Sequence, residues 1–225
     1  MFFENRNDAG QRMVSLLESY RDAENAIVLG LPRGGVVVAL EIALALNLPL
    51  DVWVTRKIGA PLNPELAIGS IDSDGNLLLD ENAARLYEIS DRYIREEVEH
   101  QKGEVKRRYQ EYRGTESAPE IKGKTVIVVD DGVATGFTML AALQSVKNNE
   151  AEKVICAVPV VSPRVLSKLQ ELADEVLSLS TPSYFGAVGE FYRNFSQVTD
   201  DEVKECLETA RQSLARKQEP QAEGE

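Results

Sequence analysis

The sequence predicts an α/β fold, a mostly parallel sheet flanked by helices, on three observations. Apolar runs of strand length alternate with segments of helical periodicity, first over residues 26–55 and again over residues 125–179. The run Thr125-Val126-Ile127-Val128-Val129 has no alternating polar face, as expected of a strand covered on both sides. Strands separated by helices imply βαβ crossovers, and such crossovers lay strands side by side in parallel.

Taken in order, residues 8–20 carry Ala9, Met13, Leu16, Leu17 and Tyr20 on one stripe and predict an amphipathic helix. A short buried strand at 26–29 ends in Gly30. Gly34-Gly35 opens a helix over 36–46 that is apolar nearly all round except at Glu41, which suits packing on a sheet. Asn47 and Pro49 turn the chain into a strand at 50–55. Residues 56–80, rich in Gly, Pro, Asn and Asp, read as loop with short strands at 67–71 and 76–79. Residues 81–113 read as a charged helical insertion. Its apolar stripe is thin (Ile94, Val98, Val105, Tyr112), so most of its surface is left to water or a partner. A polar link at 114–123 leads to the strand at 125–129. Helices at about 135–146 and 163–172 then alternate with strands at 154–161 and 176–179. A final helix over 200–216 closes a single domain spanning 1–216, and the tail 217–225 is expected to be disordered.

Composition excludes several classes of function. Lys and Arg total 25 against 37 Asp and Glu, a net charge of −12, which argues against nucleic acid or an anionic membrane as the main partner. A small phosphorylated ligand, bound by local groups, stays open. No apolar run approaches the roughly 20 residues of a membrane span, and Met1-Phe2-Phe3-Glu4-Asn5-Arg6 lacks the regions of a signal peptide. Cys156 and Cys206 lie far apart with no CxxC spacing, so neither a zinc site nor a disulfide is implied. The expectation is a soluble, cytoplasmic protein.

Three loops follow strand ends, where parallel sheets bind ligands. In the first, Asp130-Asp131 closes the strand at 125–129, and Gly132-Val133-Ala134-Thr135-Gly136-Phe137-Thr138 enters a helix. Exposed amides, a helix dipole and two hydroxyls make a phosphate cradle, and the paired carboxylates can accept hydrogen bonds from vicinal sugar hydroxyls. Asp-Asp by itself reads as a solvated pair; its context suits a ligand with both a ribose diol and a phosphate. The second loop, Gly30-Leu31-Pro32-Arg33-Gly34-Gly35, allows close approach to an anion and supplies a guanidinium, although a glycine-assisted helix start also explains it. It is neither GxGxxG nor a Walker loop. The third, Arg56-Lys57, opens the glycine- and proline-containing stretch 58–69, whose closure would exclude water, or is a plain surface pair.

The run 126–138 resembles the phosphoribosyl-pyrophosphate (PRPP) signature of type I phosphoribosyltransferases, most closely the adenine enzymes at Ala134-Thr135-Gly136. That resemblance implies the type I phosphoribosyltransferase fold, with a small hood from about 1–20 and 180–200. It implies that Asp130 and Asp131 hold the ribose hydroxyls, and that Gly132, Val133, Ala134, Thr135, Gly136 and Thr138 hold the 5′-phosphate. Arg33, Gly34, Gly35, Arg56 and Lys57 would attend pyrophosphate, with Asp130, Asp131, Lys57 and Arg33 as the catalytic set. Mg²⁺ would be held through PRPP and water rather than by protein ligands, and the family habit is a homodimer. The partners would be PRPP and a nitrogen-base acceptor. Arg56-Lys57 is similar to the pair that begins the mobile loop of orotate phosphoribosyltransferases.

Tyr184, Phe185, Phe191, Tyr192 and Phe195 offer the hood aromatic faces for a base, and they also suit ordinary core. The run 186–195 resembles the tail of an uncharacterised subgroup of predicted phosphoribosyltransferases. Ala134 stands where the 6-oxopurine enzymes carry an aspartate, which argues against guanine or hypoxanthine, and the span from Arg56 to Asp130 is longer than in minimal members. Glu65 is a candidate base or an exposed loop glutamate, and His100, in a charged helix, reads as solvated. A sensing module without turnover is the alternative function. A Walker-type ATPase is opposed by the absence of Gly-Lys-Ser/Thr after any strand.

Overall fold

The computed structural model of the chain describes residues 2–61, 63–71 and 77–218. In chain order the elements are α1 (Arg6–Leu17), β1 (Ala26–Gly30), α2 (Gly34–Leu46), β2 (Leu50–Val52), β3 (Arg56–Ala60), β4 (Asn63–Ile71), β5 (Leu77–Leu79), α3 (Glu81–Leu86), α4 (Asp91–Arg113), β6 (Thr125–Val129), α5 (Phe137–Asn148), β7 (Lys153–Val160), α6 (Pro163–Leu172), β8 (Glu175–Ser180) and α7 (Asp200–Gln218). The main sheet has five strands in the order β2-β1-β6-β7-β8, and every pairing is parallel. The fold is therefore α/β, with helices on both faces of the sheet.

The alternation along each strand divides the core in two. Ile27, Leu29, Val126, Val128, Val154, Cys156 and Val158 pack against Met139 and Leu143 of α5 and Val165 and Leu169 of α6. Val28, Ile127, Val129, Ile155 and Ala157 face the other way, onto Met13 and Leu17 of α1, Ile42 and Leu46 of α2 and Leu207 of α7. Both faces are covered, which is why these strands carry no polar alternation. β6 lies in the middle of the sheet, so the loop that leaves it is flanked by the loops leaving β1 and β7.

Residues 56–80 depart from the sequence expectation of loop with two short strands. β3, β4 and β5 form a second, antiparallel sheet in that order, and β4 begins at Asn63, four residues before the expected strand. Its signal was weak for a local reason. Register shifts on either side of Gly59 interrupt the period-two pattern by which a strand is recognised.

α4 also buries more than its stripe promised. Gln101 and Tyr109 join Ile94, Val98, Val105 and Tyr112 on the buried face. The Tyr109 hydroxyl accepts the Val54 amide at 2.9 Å, and the Tyr93 hydroxyl donates to the Gly59 carbonyl at 2.9 Å. α4 thus fastens the start of the second sheet to the first. α5 starts at Phe137, two residues later than expected, because Gly136 sits at φ 83° as its N-cap. α7 runs to Gln218, so residues 217 and 218 of the expected tail are helical; residues 219–225 lie outside the described residues. Among the described residues, no helix is long and apolar enough to cross a membrane.

Candidate functional site

The site is built around the C-terminal end of β6. Beyond Val129 the chain leaves the sheet at Asp130 and Asp131, both partly buried. An Asp130 carboxyl oxygen accepts the Asp131 amide at 2.9 Å. Burial, and then the neighbouring charge of Asp131, push the Asp130 carboxyl well above the usual carboxylate range. Burial also raises Asp131, against the opposing hydrogen bond and charge of Arg6. Each carboxyl therefore favours its protonated form more than a solvated aspartate does.

Arg6 is a residue the sequence reading missed. It is 9% exposed. Its Nε lies 2.7 Å from Asp131 Oδ2, its Nη1 donates to the Ser196 carbonyl at 2.7 Å, and its guanidinium stacks 3.9 Å from the Phe195 ring centroid. One side chain near the N-terminus thus joins the second acid of the β6 loop to the hood. No short-range signal marks it, because its partners lie 125 and 190 residues away. Tyr192 adds a second tie, its hydroxyl donating to the Asp131 carbonyl at 2.5 Å.

The paired glycines have a clear physical role. A Cβ at Gly34 would stand 2.0 Å from Asp131 Oδ2 and 2.8 Å from Arg6 Nε. At Gly35 it would meet the Val129 carbonyl at 2.7 Å and Asp130 Cα at 2.8 Å. The anion that the bare first turn of α2 approaches is the protein's own acidic pair, whose charge the helix N-terminus favours. The Pro32–Arg33 peptide is cis. Arg33 turns toward α7, 3.9 Å from Asp200 Oδ1, and the Tyr112 hydroxyl donates to the same oxygen at 2.5 Å.

The loop from Gly132 to Thr138 divides by role. The Val133 amide donates to the Val160 carbonyl at 2.9 Å, its carbonyl accepts from the Ser162 amide, and its side chain is buried. Val133 therefore anchors the loop to β7, and its amide is spent, which corrects its place among the phosphate-binding residues. Downstream, Thr135 and Thr138 are exposed, and α5 opens at Gly136 with no side-chain cap and no acid in its first turn. The leading amides of a helix have no partners within it. An uncapped, acid-free start with two hydroxyls beside it can take an anion.

A cleft of about 400 Å³ separates this start of α5 from the second sheet. Arg56, Lys57 and Thr138 line it together, with Arg108 of α4, which the sequence reading did not single out. Pro32 reaches its edge, whereas Asp130, Asp131 and Arg33 do not line it. Arg56 Nε donates to Gln101 Oε1 at 2.9 Å, and burial followed by the charge of Arg108 lowers its pKa. The predicted groups thus fall into an acidic pair packed on Arg6, a basic cleft beside the second sheet, and Arg33 directed toward α7.

The hood is mostly packed against itself. Phe191 and Tyr192 are buried with Phe3, Ala9 and Val160. Phe185 lies 5.0 Å from Phe191, and Tyr192 lies 5.2 Å from Phe3 and 5.0 Å from Phe195, centroid to centroid. The faces of Phe191 and Tyr192 are therefore taken by other rings, and these two residues act as core instead of a free platform. Tyr184, 81% exposed, is the most open of the five predicted rings. Glu65 has its backbone in β4, but its side chain lies outside the described residues. His100 stands exposed on α4, 3.8 Å from Glu97. Among the described residues, no group of three or more His, Cys, Asp or Glu gathers as a metal site.

Residues 7–195 match the phosphoribosyl transferase domain. The chain belongs to that family. It is 40% identical over 213 residues to proteins of Mycobacterium tuberculosis strains CDC 1551 and H37Rv, each described as a "putative phosphoribosyl transferase". The match covers 95% of this chain and 48% of each relative, so the chain spans about half the length of these curated relatives. A crystal structure of TT1426 from Thermus thermophilus is 42% identical, with a TM-score of 0.80, and the match covers 92% of this chain and 98% of that one. In this phosphoribosyl transferase domain the acidic pair and the uncapped start of α5 belong to one strand-to-helix loop, that of β6.

Proposed function

We propose that the protein transfers the phosphoribosyl group of PRPP to a nitrogen heterocycle with release of pyrophosphate. The observation that carries this reading is the β6 loop, which sets two carboxyls immediately before an uncapped, acid-free helix start with two hydroxyls. A diol and a phosphate on one sugar match those two features in that order.

In this reading Asp130 and Asp131 accept hydrogen bonds from the ribose 2′- and 3′-hydroxyls. The amides and hydroxyls around Gly132, Ala134, Thr135, Gly136 and Thr138 hold the 5′-phosphate. Arg33, Arg56 and Lys57 offset charge on departing pyrophosphate, with Gly34 and Gly35 holding the acidic pair close. Bond breaking at C1′ builds positive charge on the sugar, and ionised Asp130 and Asp131 lie where they favour it. The second sheet, folded over the basic cleft, keeps water from that centre. Mg²⁺, held through PRPP and water rather than by protein carboxylates, would supply positive charge to the departing pyrophosphate. Tyr184 is the open aromatic face for a flat base, with Phe185 beside it. A cytoplasmic homodimer belongs to the same reading.

The test is pyrophosphate release from PRPP and Mg²⁺ across purines, pyrimidines and pyridine carboxylates. Release with one class identifies the acceptor. PRPP binding without release by any acceptor assigns the same pocket to a sensing module, a reading that the Arg6–Asp131 ion pair favours because one acid is already engaged. No binding of PRPP overturns both.

A further inference from the structure

Among the described residues, the cleft is lined by more cations than carboxylates. Arg56 and Arg108 line it together and are both partly buried. Arg108 makes no hydrogen bond or ion pair among the described residues. Its neighbour Arg107 takes the hydrogen bonds of Glu104 at 3.2 Å and Glu111 at 3.0 Å, so Glu104 reaches Arg56 and Arg108 only by longer-range attraction. Asp80 is the carboxylate that lines the cleft, and it is engaged at the start of α3, accepting the amides of Asn82 and Ala83 at 3.0 and 2.9 Å. Two partly buried arginines that share a cleft repel one another, and an anion between them relieves the repulsion. Thr138, at the start of α5, faces the same space, and a helix start adds to the demand for negative charge.

We infer that Arg108, carried by α4, is a fourth cation of the leaving-group site, lining one cleft with Thr138, Arg56 and Lys57. This inference rests on the reading of the protein as a phosphoribosyltransferase and names a residue for it outside the three predicted loops. It also gives the inserted helix a function. Gln101 of α4 already orients Arg56, and Tyr112 of α4 already holds the Asp200 carboxylate that faces Arg33. One helix therefore contacts or supplies groups on both sides of the expected pyrophosphate. A guanidinium forks onto two phosphate oxygens at once, which a single ammonium such as Lys57 does not do.

The experiment measures calorimetric affinities of wild type, Arg108→Gln and Arg108→Lys for inorganic pyrophosphate with magnesium chloride, and separately for ribose 5-phosphate. Arg108→Gln should weaken pyrophosphate binding by about tenfold or more, the loss of one charged hydrogen-bonding group. Ribose 5-phosphate affinity should stay within about twofold, and Arg108→Lys should recover part of the loss. The substitution removes no described bond and Arg108→Gln relieves the repulsion with Arg56, so the thermal midpoint of neither variant should fall below wild type. Equal pyrophosphate affinity in wild type and Arg108→Gln overturns the inference and leaves the phosphoribosyltransferase reading intact. Wild type that binds ribose 5-phosphate but not pyrophosphate overturns the inference and the leaving-group site. Wild type that binds neither overturns the whole reading.

Discussion

Replacing Arg6 by methionine removes a charge and keeps most of the side-chain bulk beside Phe195. The guanidinium it deletes is 9% exposed and lies 2.7 Å from an Asp131 oxygen whose side chain is 14% exposed. Breaking a buried ion pair from one side costs about 3–5 kcal/mol, because the surviving charge is left without a partner. Here Asp131 has two mitigations, the nearby start of α2 and the option of taking up a proton, so the expected loss is about 3 kcal/mol. For a chain of this size that corresponds to a fall of about 6–12 °C in Tm.

The pH dependence separates this cause from general disruption. Burial already raises the folded Asp131 carboxyl above its unfolded value, and loss of Arg6 raises it further. Between the unfolded value and the folded one the native state holds the extra proton, so stability falls as pH rises through that window. The window is wider in Arg6→Met. Chemical denaturation should therefore show the largest deficit near pH 8 and a smaller one near pH 5, where the carboxyl is more nearly neutral. A pH-independent remainder of about 1 kcal/mol reflects the lost hydrogen bond to the Ser196 carbonyl. In the double variant Arg6→Met/Asp131→Asn the excess loss at pH 8 should disappear. A deficit below about 0.5 kcal/mol, or one that does not change with pH, refutes the argument.

Other outcomes follow from the same geometry. Gly34→Ala puts a methyl 2.0 Å from Asp131 Oδ2, so it should break the pair with Arg6 and cost about 2–3 kcal/mol by denaturation, with weakened ribose 5-phosphate affinity by calorimetry. Asp130→Asn removes a buried charge while the side-chain carbonyl can still accept the Asp131 amide. It should stabilise the protein by about 0.5–2 kcal/mol near pH 8, the gain shrinking toward acid, and it should abolish PRPP binding in the same preparation. Gly136→Ala combines φ 83° with a Cβ 2.3 Å from Val165 Cγ1; a lowered Tm and weaker inorganic phosphate binding are expected, and unchanged values for both would remove α5 from the site. Tyr192→Phe keeps the ring contacts and deletes the bond to the Asp131 carbonyl, for a loss of about 1–2 kcal/mol in urea unfolding.

The first sheet was legible because its signal is local: a strand covered on both faces shows itself as an unbroken apolar run. The diol-and-phosphate reading of Asp130-Asp131 is an expectation that needs the whole run 126–138, since the acidic pair alone reads as a solvated one. The second sheet was half hidden, because Gly59 and the register shifts around it erase the alternation that marks a strand. Tyr109 was missing from the stripe of α4, since its buried hydroxyl takes the amide of Val54, a residue far away in the chain. Phe191 and Tyr192 carried the right composition for either a platform or a core, and packing against Phe3 and Val160 decided for core.

By itself the amino-acid sequence determined the alternation of strands and helices along the chain and the kinds of chemical group the loop after β6 carries. Those are properties of neighbours in the chain, set by periodicity, turn residues and helix starts. Tertiary structure decided what each charged group faces: Arg6 against Asp131, α2 pressed on the acidic pair through Gly34 and Gly35, and Arg108 beside Arg56 in the cleft. The partners in these contacts stand far apart along the chain, 125 positions for Arg6 and Asp131, and electrostatic energy depends on distance and burial in space. A single sequence records the charges, and only the fold fixes which of them meet.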